Sequence, residues 1–277
     1  MRPFDGRRVL IGVSGGIAAY KTAELVRRLV QAGAEVQVVL TSNAARFVGP
    51  ATFEGLTGRR VHESLWEEAL GHLELGRWAD AIVVAPATAN LLAKMAAGIA
   101  DDLLSTILLA APCRALLAPA MNVRMYEHAA TQRNLETLRE CGHTVVGPAY
   151  GELAEREEGW GRMVEADVIF AHVGRLLEPA SRWRGQRVVV TSGPTWEPVD
   201  AVRFLGNRSS GRMGHAIAAA AWRRGADVVL ITGPAHIATP PEISEVHMVE
   251  TAESWWRPWP TSAPVTRAAT RFAGPRG

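Results

Sequence analysis

Short apolar segments alternate with stretches of helical apolar spacing along the first 178 residues, and this alternation limits the possible folds most strongly. Residues 8–14 form an apolar run that stops at a glycine pair, and residues 17–32 then place apolar side chains at helical intervals before Gly33. The order recurs, with strands predicted at 35–40, 81–85, 114–118 and 144–146, and helices at 90–97, 102–110, about 126–141 and 164–177. Such alternation predicts an α/β fold with a Rossmann-like parallel sheet between helices.

A second, partial α/β unit is predicted after a polar linker at residues 178–185 that contains proline and glycine. Its predicted elements are a strand at 186–191, a long loop at 193–211, a helix at 212–224 and a strand at 227–232. These elements are too few to enclose a doubly wound core. Residues 251–277 hold three of the nine tryptophans and four prolines and show no apolar period. We therefore expect domains at 1–178 and 186–250, followed by an irregular tail at 251–277.

Composition excludes several classes of protein. The 277 residues are 48% hydrophobic and 21% charged, with a net charge of +2, which is typical of a folded globular chain. The longest apolar run, residues 103–112, has about half the length that a membrane-spanning helix needs. The first residues lack the apolar core of a signal peptide. The sequence thus predicts a cytoplasmic protein without membrane association.

The arginine, lysine, cysteine and histidine residues argue against three further features: nucleic-acid binding, disulfide bonds and a metal site. The chain has 28 arginines and two lysines, and the arginines are scattered, so we expect no nucleic-acid binding. Cys113 and Cys141 form no C-x-x-C pair, and the eight histidines show no metal-ligand spacing. The sequence therefore predicts neither a disulfide framework nor a metal site built from these residues.

A glycine-rich turn at residues 12–22, Gly-Val-Ser-Gly-Gly-Ile-Ala-Ala-Tyr-Lys-Thr, follows a predicted strand and opens a predicted helix. Backbone N–H groups at such a turn and the positive end of the helix bind phosphate groups. The turn fits neither a Walker A loop, since Tyr20 stands in place of glycine, nor the G-x-G-x-x-G dinucleotide pattern. It predicts a phosphate site, with a purely structural tight turn as the alternative.

Two further strand ends carry small polar side chains. Thr88 and Asn90 follow the strand at 81–85, and Asn122 follows the strand at 114–118. The carboxyl ends of parallel strands meet at one edge of the sheet, where open α/β sheets bind ligands. The alternative for Thr88 is a plain helix cap. The convergence of three strand ends favours a site for a flat polar ligand.

Two other segments allow a functional and a structural interpretation. His72 precedes the strand at 81–85, and a lone histidine is either an acid/base group or, more often, a packed or surface residue. Residues 151–163 are strongly charged and interrupted by glycines. They form either a solvated connection or a mobile flap that brings Arg162 over an anionic substrate.

These segments together resemble the bifunctional flavoproteins of coenzyme A biosynthesis, in which phosphopantothenoylcysteine decarboxylase is joined to phosphopantothenate–cysteine ligase. The resemblance covers residues from about 7 to 250. Its decarboxylase markers are the glycine turn, His72, Ala-Pro-Ala-Thr-Ala-Asn at 85–90, Gly-Ile-Ala-Asp-Asp-Leu-Leu at 98–104, Pro-Ala-Met-Asn at 119–122 and Gly-Arg-Met at 161–163. Residues 191–200 and 207–214 resemble the opening of the ligase half.

The resemblance implies a function for the first domain. It implies decarboxylation of 4'-phosphopantothenoylcysteine to 4'-phosphopantetheine with FMN, which takes up two electrons and returns them so that CO2 can leave. It also implies a homo-oligomer built from trimers, with the flavin between subunits. The residues that it assigns to FMN are Ser14, Gly15, Thr41, Thr88 and Asn90. Those that it assigns to catalysis are His72 and Asn122, and those that it assigns to the substrate are Met121, Asn122, Arg162 and Met163.

One departure from the family pattern concerns the proton donor. The family has a cysteine after Leu-Ala in the segment 151–163, and this chain has Glu155 there. Either Glu155, with a pKa raised by closure of the segment, donates the proton, or the reaction stops at the enethiol. We assign Glu155 to the catalytic set on the first alternative.

A second departure concerns the ligase half. The resemblance places CTP, used with Mg²⁺, on Asn207, Ser209, Ser210 and Gly211. The family's lysine-rich catalytic loop is absent, and no lysine follows Lys94. Because a triphosphate needs nearby positive charge, we expect little ligase activity. The alternative function is a flavin-binding regulatory or assembly protein without turnover, and a nucleotide hydrolase is disfavoured by Tyr20.

Overall fold

A computed structural model describes residues 2–67, 70–154, 157–178, 182–240 and 242–256. The chain divides into two compact units, Met1–Leu177 and Glu178–Gly277, which are described separately. The strands of the first unit are β1 (Arg8–Val13), β2 (Glu35–Leu40), β3 (Ala81–Ala87), β4 (Ala115–Pro119), β5 (Thr144–Val145), β6 (Ala149–Glu152) and β7 (Glu158–Arg162). Its helices are α1 (Ala19–Gln31), α2 (Pro50–Thr57), α3 (Gly71–Trp78), α4 (Ala89–Ala97), α5 (Leu103–Ala110), α6 (Val123–Glu127), α7 (Ala129–Glu140) and α8 (Ala166–Leu177).

The main sheet of the first unit is parallel and has the strand order β2-β1-β3-β4-β5. The chain leaves β1 toward β2 on one side and returns to place β3 on the other side of β1. This reversal makes the carboxyl ends of β1 and β3 a topological switch point, the place where open α/β sheets hold ligands.

The two faces of the sheet bury separate apolar clusters. Alternate β1 residues point to opposite faces, so that Val9 and Ile11 join one cluster and Leu10 joins the other. The first cluster includes buried side chains from α1, α2 and α8. The second includes side chains from α3, α4, α5 and α7. Helices therefore cover both faces, and the predicted Rossmann-like α/β fold is confirmed.

One prediction about local structure in the first unit was wrong, and another lacked detail. The helix predicted at about 126–141 is two helices, α6 and α7, because His128 adopts an extended conformation and its Nδ1 accepts a hydrogen bond from the Ala130 amide at 3.1 Å. The charged segment 151–163, for which the sequence left open a solvated connection or a flap, is largely an antiparallel hairpin of β6 and β7. Its buried Gly159 and Gly161 alternate with exposed residues, which is the period of a strand.

The second unit has seven elements within the described residues: β8 (Arg187–Ser192), β9 (Trp196–Pro198), β10 (Phe204–Gly206), α9 (Arg212–Arg223), β11 (Asp227–Thr232), β12 (Glu245–Met248) and α10 (Ala252–Trp256). A three-stranded parallel sheet has the order β12-β11-β8, and β9 pairs with β10 in an antiparallel arrangement. Helix α9 packs its buried Ala218 with the apolar residues of β8 and β11.

The sequence-based description of this second unit was incomplete. It missed β12, whose four residues are only half-buried or exposed and therefore give little apolar signal. The predicted loop at 193–211 contains β9 and β10, and the predicted irregular tail begins with helix α10. Residues 257–277 of that tail lie outside the described residues. Within the described ranges, none of the helices combines the length and the apolar character needed to cross a bilayer.

Candidate active site

A cavity of about 780 Å³ opens at the carboxyl edge of the main sheet in the first unit. Small-molecule sites commonly enclose about 300–1,000 Å³. The walls come from the segments that follow β1, β2, β3 and β4, together with the β6–β7 hairpin. The ends of the three strands thus lie around one cavity, as expected from the sequence, and a ligand site there stays a prediction. The predicted site residues that line this one cavity are Ser14, Gly15, Thr41, Thr88, Asn90, Met121, Asn122, Arg162 and Met163.

Hydrogen bonds between Ser14 and the end of β3 close the switch point. The buried Ser14 hydroxyl donates to the Pro86 carbonyl at 2.7 Å and accepts from the Thr88 amide at 3.0 Å. The Thr22 hydroxyl of α1 donates to the Ala85 carbonyl at 2.6 Å. These bonds hold the glycine turn against β3. They also account for the burial of two hydroxyl groups, which would otherwise cost free energy.

The glycine turn leads into helix α1 without a capping side chain. Ala18 occupies the N-cap position, and the first turn of α1 contains no acidic residue. The positive end of the helix dipole therefore faces this part of the cavity, and the first turn of the helix itself supplies no carboxylate to balance it. Gly15 lies so close to the segment after β2 that a Cβ there would be 2.9 Å from the carbonyl carbon of Asn43. This geometry favours binding of a phosphate group and explains the need for glycine at position 15.

Thr88 has both of the roles that the sequence left open. Its hydroxyl accepts a hydrogen bond from the Leu91 amide at 3.5 Å and caps α4. Thr88 also lines the cavity, as does Asn90 in the first turn of the same helix. The cap interpretation is confirmed without removing Thr88 from the cavity wall.

Asn122 lies at the end of β4, where its side-chain oxygen accepts a hydrogen bond from the Arg124 amide at 2.8 Å. This bond orients the side-chain amide at the start of α6. The neighbouring Met121 amide donates to the carbonyl of Gly161 at 3.0 Å and so attaches the β6–β7 hairpin to this strand end. A side chain at Gly161 would collide with the Met121 carbonyl, so the close approach requires glycine.

A charged cluster of Lys21, Arg162 and Glu165 lies at the base of the hairpin. Oε1 of Glu165 accepts from Nζ of Lys21 at 2.8 Å and from Nη2 of Arg162 at 2.6 Å. Lys21 also donates to the Met163 carbonyl at 3.2 Å, and its side chain is only 12% exposed. The ammonium group of Lys21, with Arg162, lowers the pKa of Glu165 below its ordinary value. Lys21 lines the cavity, although sequence reasoning did not assign it to the site.

A second charged cluster joins α4 to the start of α5. Nζ of Lys94 lies 2.6 Å from Asp101 and 3.1 Å from Asp102. Asp102 caps α5 through the Ser105 amide at 2.8 Å. Burial tends to raise the pKa of Asp102, but hydrogen bonds from Ser105 and Lys94 outweigh it and leave that pKa lowered. Lys94 and Asp102 line the cavity and were also missed; the signal for both lysines was their rarity in an arginine-rich chain.

One residue of the predicted catalytic set, His72, is described and does not line the cavity of its own chain. His72 lies in the first turn of α3, and the structure does not bring it to the cavity wall with Asn122. Glu155 lies outside the described residues, although the preceding Leu153 and Ala154 both line the cavity.

A protein-family model described as Flavoprotein matches residues 2–178, more than half of the 277 residues. The chain belongs to the flavoprotein family. A second model, described as the DNA/pantothenate metabolism flavoprotein C-terminal domain, matches residues 183–264 of this flavoprotein. The two matched regions support the resemblance that the sequence motifs indicated.

Curated relatives match about nine tenths of the chain. The Coenzyme A biosynthesis bifunctional protein CoaBC of Vibrio cholerae is 48% identical over 250 residues, which cover 89% of this flavoprotein and 62% of the relative. The protein of the same name from Escherichia coli is 47% identical over 252 residues, which cover 90% of this flavoprotein and 62% of the relative. This flavoprotein therefore spans a little under two thirds of the length of these relatives.

Solved structures resemble about three fifths of this flavoprotein. A PPC decarboxylase mutant in complex with pantothenoylaminoethenethiol matches with a TM-score of 0.55 and 34% identity, covering 60% of this flavoprotein and 96% of that chain. The FMN binding protein AtHal3 matches with a TM-score of 0.56 and 33% identity, covering 64% and 99% of the respective chains. The similarity extends over nearly the whole of both smaller proteins.

The predicted CTP-binding residues of this flavoprotein lie in the second unit, between β10 and α9. The side-chain oxygen of Asn207 accepts from the Ser209 amide at 2.9 Å. Gly211 has a positive φ of 76° at the N-cap of α9, and its carbonyl accepts from the Ser192 hydroxyl at 2.8 Å. Ser210 is exposed beside it. The four residues thus lie in the short segment that leads into helix α9, and helix N-termini suit phosphate groups.

Proposed function

We propose that this flavoprotein binds FMN in the cavity of its first unit and decarboxylates 4'-phosphopantothenoylcysteine to 4'-phosphopantetheine in coenzyme A biosynthesis. The observation that carries the proposal is the convergence of the glycine turn, the ends of β3 and β4 and the hairpin residue Arg162 on one cavity. The names of the relatives and the 34% identity to a PPC decarboxylase support the same reaction.

The cavity fits FMN in size and in the chemistry of its walls. Its volume of about 780 Å³ suits a cofactor, and the uncapped start of α1 suits the phosphate group. The residues that would hold the cofactor are Ser14, Gly15, Thr41, Thr88 and Asn90. When bound, the flavin supplies the two-electron sink without which loss of CO2 from the cysteine carboxylate would leave an unstabilised carbanion.

The part of the cavity wall that comes from the end of β4 and the β6–β7 hairpin would hold the substrate. The amide of Asn122, oriented by its bond to Arg124, would donate a hydrogen bond to the carboxylate that is lost as CO2. Arg162 would bind an anionic group of the substrate, and Met121 and Met163 would supply apolar contact. The hairpin that carries Arg162 would exclude water from the reacting groups.

His72 would act as the acid/base group from a neighbouring copy of the chain. Because His72 lies outside the cavity of its own chain, the catalytic pair with Asn122 requires a second copy at the cavity mouth. A homo-oligomer built from trimers, with the flavin between subunits, would provide that copy. Complementation tests this arrangement, since mixed oligomers of His72→Asn and Asn122→Ala chains should regain activity that neither variant has alone.

Glu155 would donate the proton that completes the reaction. In the sequence it directly follows Leu153 and Ala154, which both line the cavity. Mass spectrometry of the product tests this role, because a product that lacks two hydrogens relative to 4'-phosphopantetheine would show that the reaction stops at the enethiol.

The second unit would bind CTP with Mg²⁺ through Asn207, Ser209, Ser210 and Gly211. We expect little ligase activity from this chain, because no lysine follows Lys94 to balance the charge of the triphosphate. CTP-dependent formation of 4'-phosphopantothenoylcysteine by the purified chain would contradict that expectation.

A second candidate function is flavin binding without turnover, in a regulatory or assembly protein. The glutamate at position 155 and the location of His72 outside the cavity favour it. Flavin stoichiometry and CO2 release from 4'-phosphopantothenoylcysteine distinguish the two functions. A yellow protein that releases CO2 supports the decarboxylase, a yellow protein that releases none supports the second candidate, and a colourless protein that does not bind added FMN excludes both.

A further inference from the structure

The two lysines of this chain lie in the wall of the same cavity. The sequence places arginine at 28 of its 30 Lys and Arg positions, so lysine is the rare cation of this chain. Lys21 and Lys94 are the two exceptions, and both line the cavity. The use of lysine at these two positions indicates that they need an ammonium group rather than a guanidinium group.

The surroundings of Lys21 explain this need. Its Nζ reaches two acceptors at one point, the Glu165 carboxylate at 2.8 Å and the Met163 carbonyl at 3.2 Å, in a place where the side chain is 12% exposed. A compact ammonium ion can donate to both acceptors, whereas the wider planar guanidinium spreads its donors apart. Both acceptors lie between β7 and α8, at the base of the hairpin.

We propose that Lys21 is a positioning residue for Arg162 and acts through Glu165. Lys21 holds the Glu165 carboxylate, and the same carboxylate oxygen accepts Nη2 of Arg162 at 2.6 Å. This bond orients the guanidinium of Arg162 and leaves its other N–H groups to bind a phosphate or carboxylate. Two cations share one carboxylate, so the cluster keeps a net positive charge on the cavity wall for the anionic group of the substrate.

The inference rests on the proposed function, so its test measures substrate binding separately from turnover. The FMN-loaded protein carrying His72→Asn, which blocks turnover, is titrated with 4'-phosphopantothenoylcysteine, and the change in flavin absorbance reports the Kd; every variant is compared in this background. We expect both Lys21→Met and Lys21→Arg to raise this Kd about tenfold. The Kd for FMN should change by less than about twofold, because Lys21 acts on Arg162 and not on the cofactor.

Arg28→Met is the matched control. Arg28 lies on the same helix and pairs with Glu24 at 2.9 Å, but both side chains are nearly half exposed and neither lines the cavity. Its substrate Kd should equal that of the wild type. Wild-type affinity in Lys21→Met, or a comparable loss of FMN affinity in that variant, would overturn the inference. Wild-type affinity in Lys21→Arg would also overturn it, because the site would not need an ammonium group.

Glu165→Gln tests whether Lys21 acts through the carboxylate. It should raise the substrate Kd by about threefold to tenfold even if the Lys21 variants fail to fold. The Lys21→Met, Glu165→Gln double variant should bind no more weakly than the weaker single variant, whereas additive losses would refute action through Glu165. If the wild type binds the substrate but releases no CO2, the proposed decarboxylation is refuted. The substrate Kd values of the Lys21 and Glu165 variants then still decide whether Lys21 positions Arg162. Titration with pantothenoylcysteine, which lacks the phosphate, shows whether Arg162 binds the phosphate or the carboxylate.

Discussion

Gly15→Ala is the substitution for which the structure gives the clearest expectation. A Cβ at Gly15 would lie 2.9 Å from the carbonyl carbon of Asn43 and closer still to the Asn43 side chain. Even the 2.9 Å distance from this Cβ to the Asn43 carbonyl carbon is about 0.5 Å shorter than an ordinary van der Waals contact. Because the atoms in the way are main-chain atoms of Asn43 and its Cβ, which side-chain rotation does not move, no change of rotamer can relieve the collision. The turns that follow β1 and β2 must move apart.

The magnitude follows from the cost of overpacking. Forcing an additional methyl group into a packed site costs about 1–3 kcal/mol of unfolding free energy. For a unit of the size of Met1–Leu177, each kcal/mol lowers the melting temperature by about 2–4 °C. We therefore expect the FMN-free Gly15→Ala protein to melt about 2–12 °C below the wild type. FMN content should fall as well, since Gly15, Thr41 and Asn43 all line the cavity.

Gly16→Ala provides the matched control one residue away. A Cβ at Gly16 would meet Cγ2 of Thr88 at 3.6 Å and Cγ of Pro86 at 3.9 Å, both ordinary contacts. Its FMN-free melting temperature should lie within about 2 °C of the wild type. Scanning calorimetry of the FMN-free proteins, with flavin absorbance after reconstitution, provides the measurement. Equal melting temperatures for Gly15→Ala and the wild type, or a larger loss in Gly16→Ala, would refute the packing argument.

Three further predictions concern single side chains. Thr88→Ala removes the cap of α4 and should lower the free energy of unfolding, measured in urea, by about 1 kcal/mol, whereas Thr88→Ser should not. Equal decreases in the two variants would contradict the role of the hydroxyl. Glu155→Gln should yield a product that lacks two hydrogens relative to 4'-phosphopantetheine, and an unchanged product mass would exclude Glu155 as the donor. Burial, with the nearby charge of Arg175, lowers the pKa of His172 from 6.5 to about 4. Between about pH 6.5 and pH 4 the unfolded chain therefore binds more protons at this position than the folded chain does, and the free energy of unfolding falls as the pH falls through this window. His172→Gln should flatten this dependence in urea midpoints measured from pH 7 to pH 4, and an unchanged slope would refute the assignment.

The main sheet and its ligand-binding edge could be predicted because their signals are local. Each strand is a short apolar run, and several helices end at a glycine with a left-handed conformation, such as Gly33 and Gly98. The strand ends then place Ser14, Thr88 and Asn122 at one edge whatever the details of helix packing. This is why the residues that follow β1, β3 and β4 could be grouped from the sequence, and the structure brings them to one cavity.

The charged clusters could not be predicted in the same way. Lys21 and Glu165 are separated by 144 residues, and their contact depends on how α8 packs beside α1. No sequence period encodes that contact. The composition gave one indirect indication of Lys21. In a chain that otherwise uses arginine, a lysine indicates a position that requires an ammonium group. Strand β12 was missed for a different reason, since its half-buried residues give a weak apolar signal.

Thr88 as a helix cap and Thr88 as part of a ligand site do not exclude each other. A threonine that caps a helix directly after a parallel strand must lie at the carboxyl edge of the sheet, because that is where the strand ends and the helix starts. Its hydroxyl caps α4, while its amide donates to the Ser14 hydroxyl across the switch point. The helix start and the cavity wall are therefore built by the same residue. In folds of this kind a cap at a strand end argues for a nearby ligand site rather than against one.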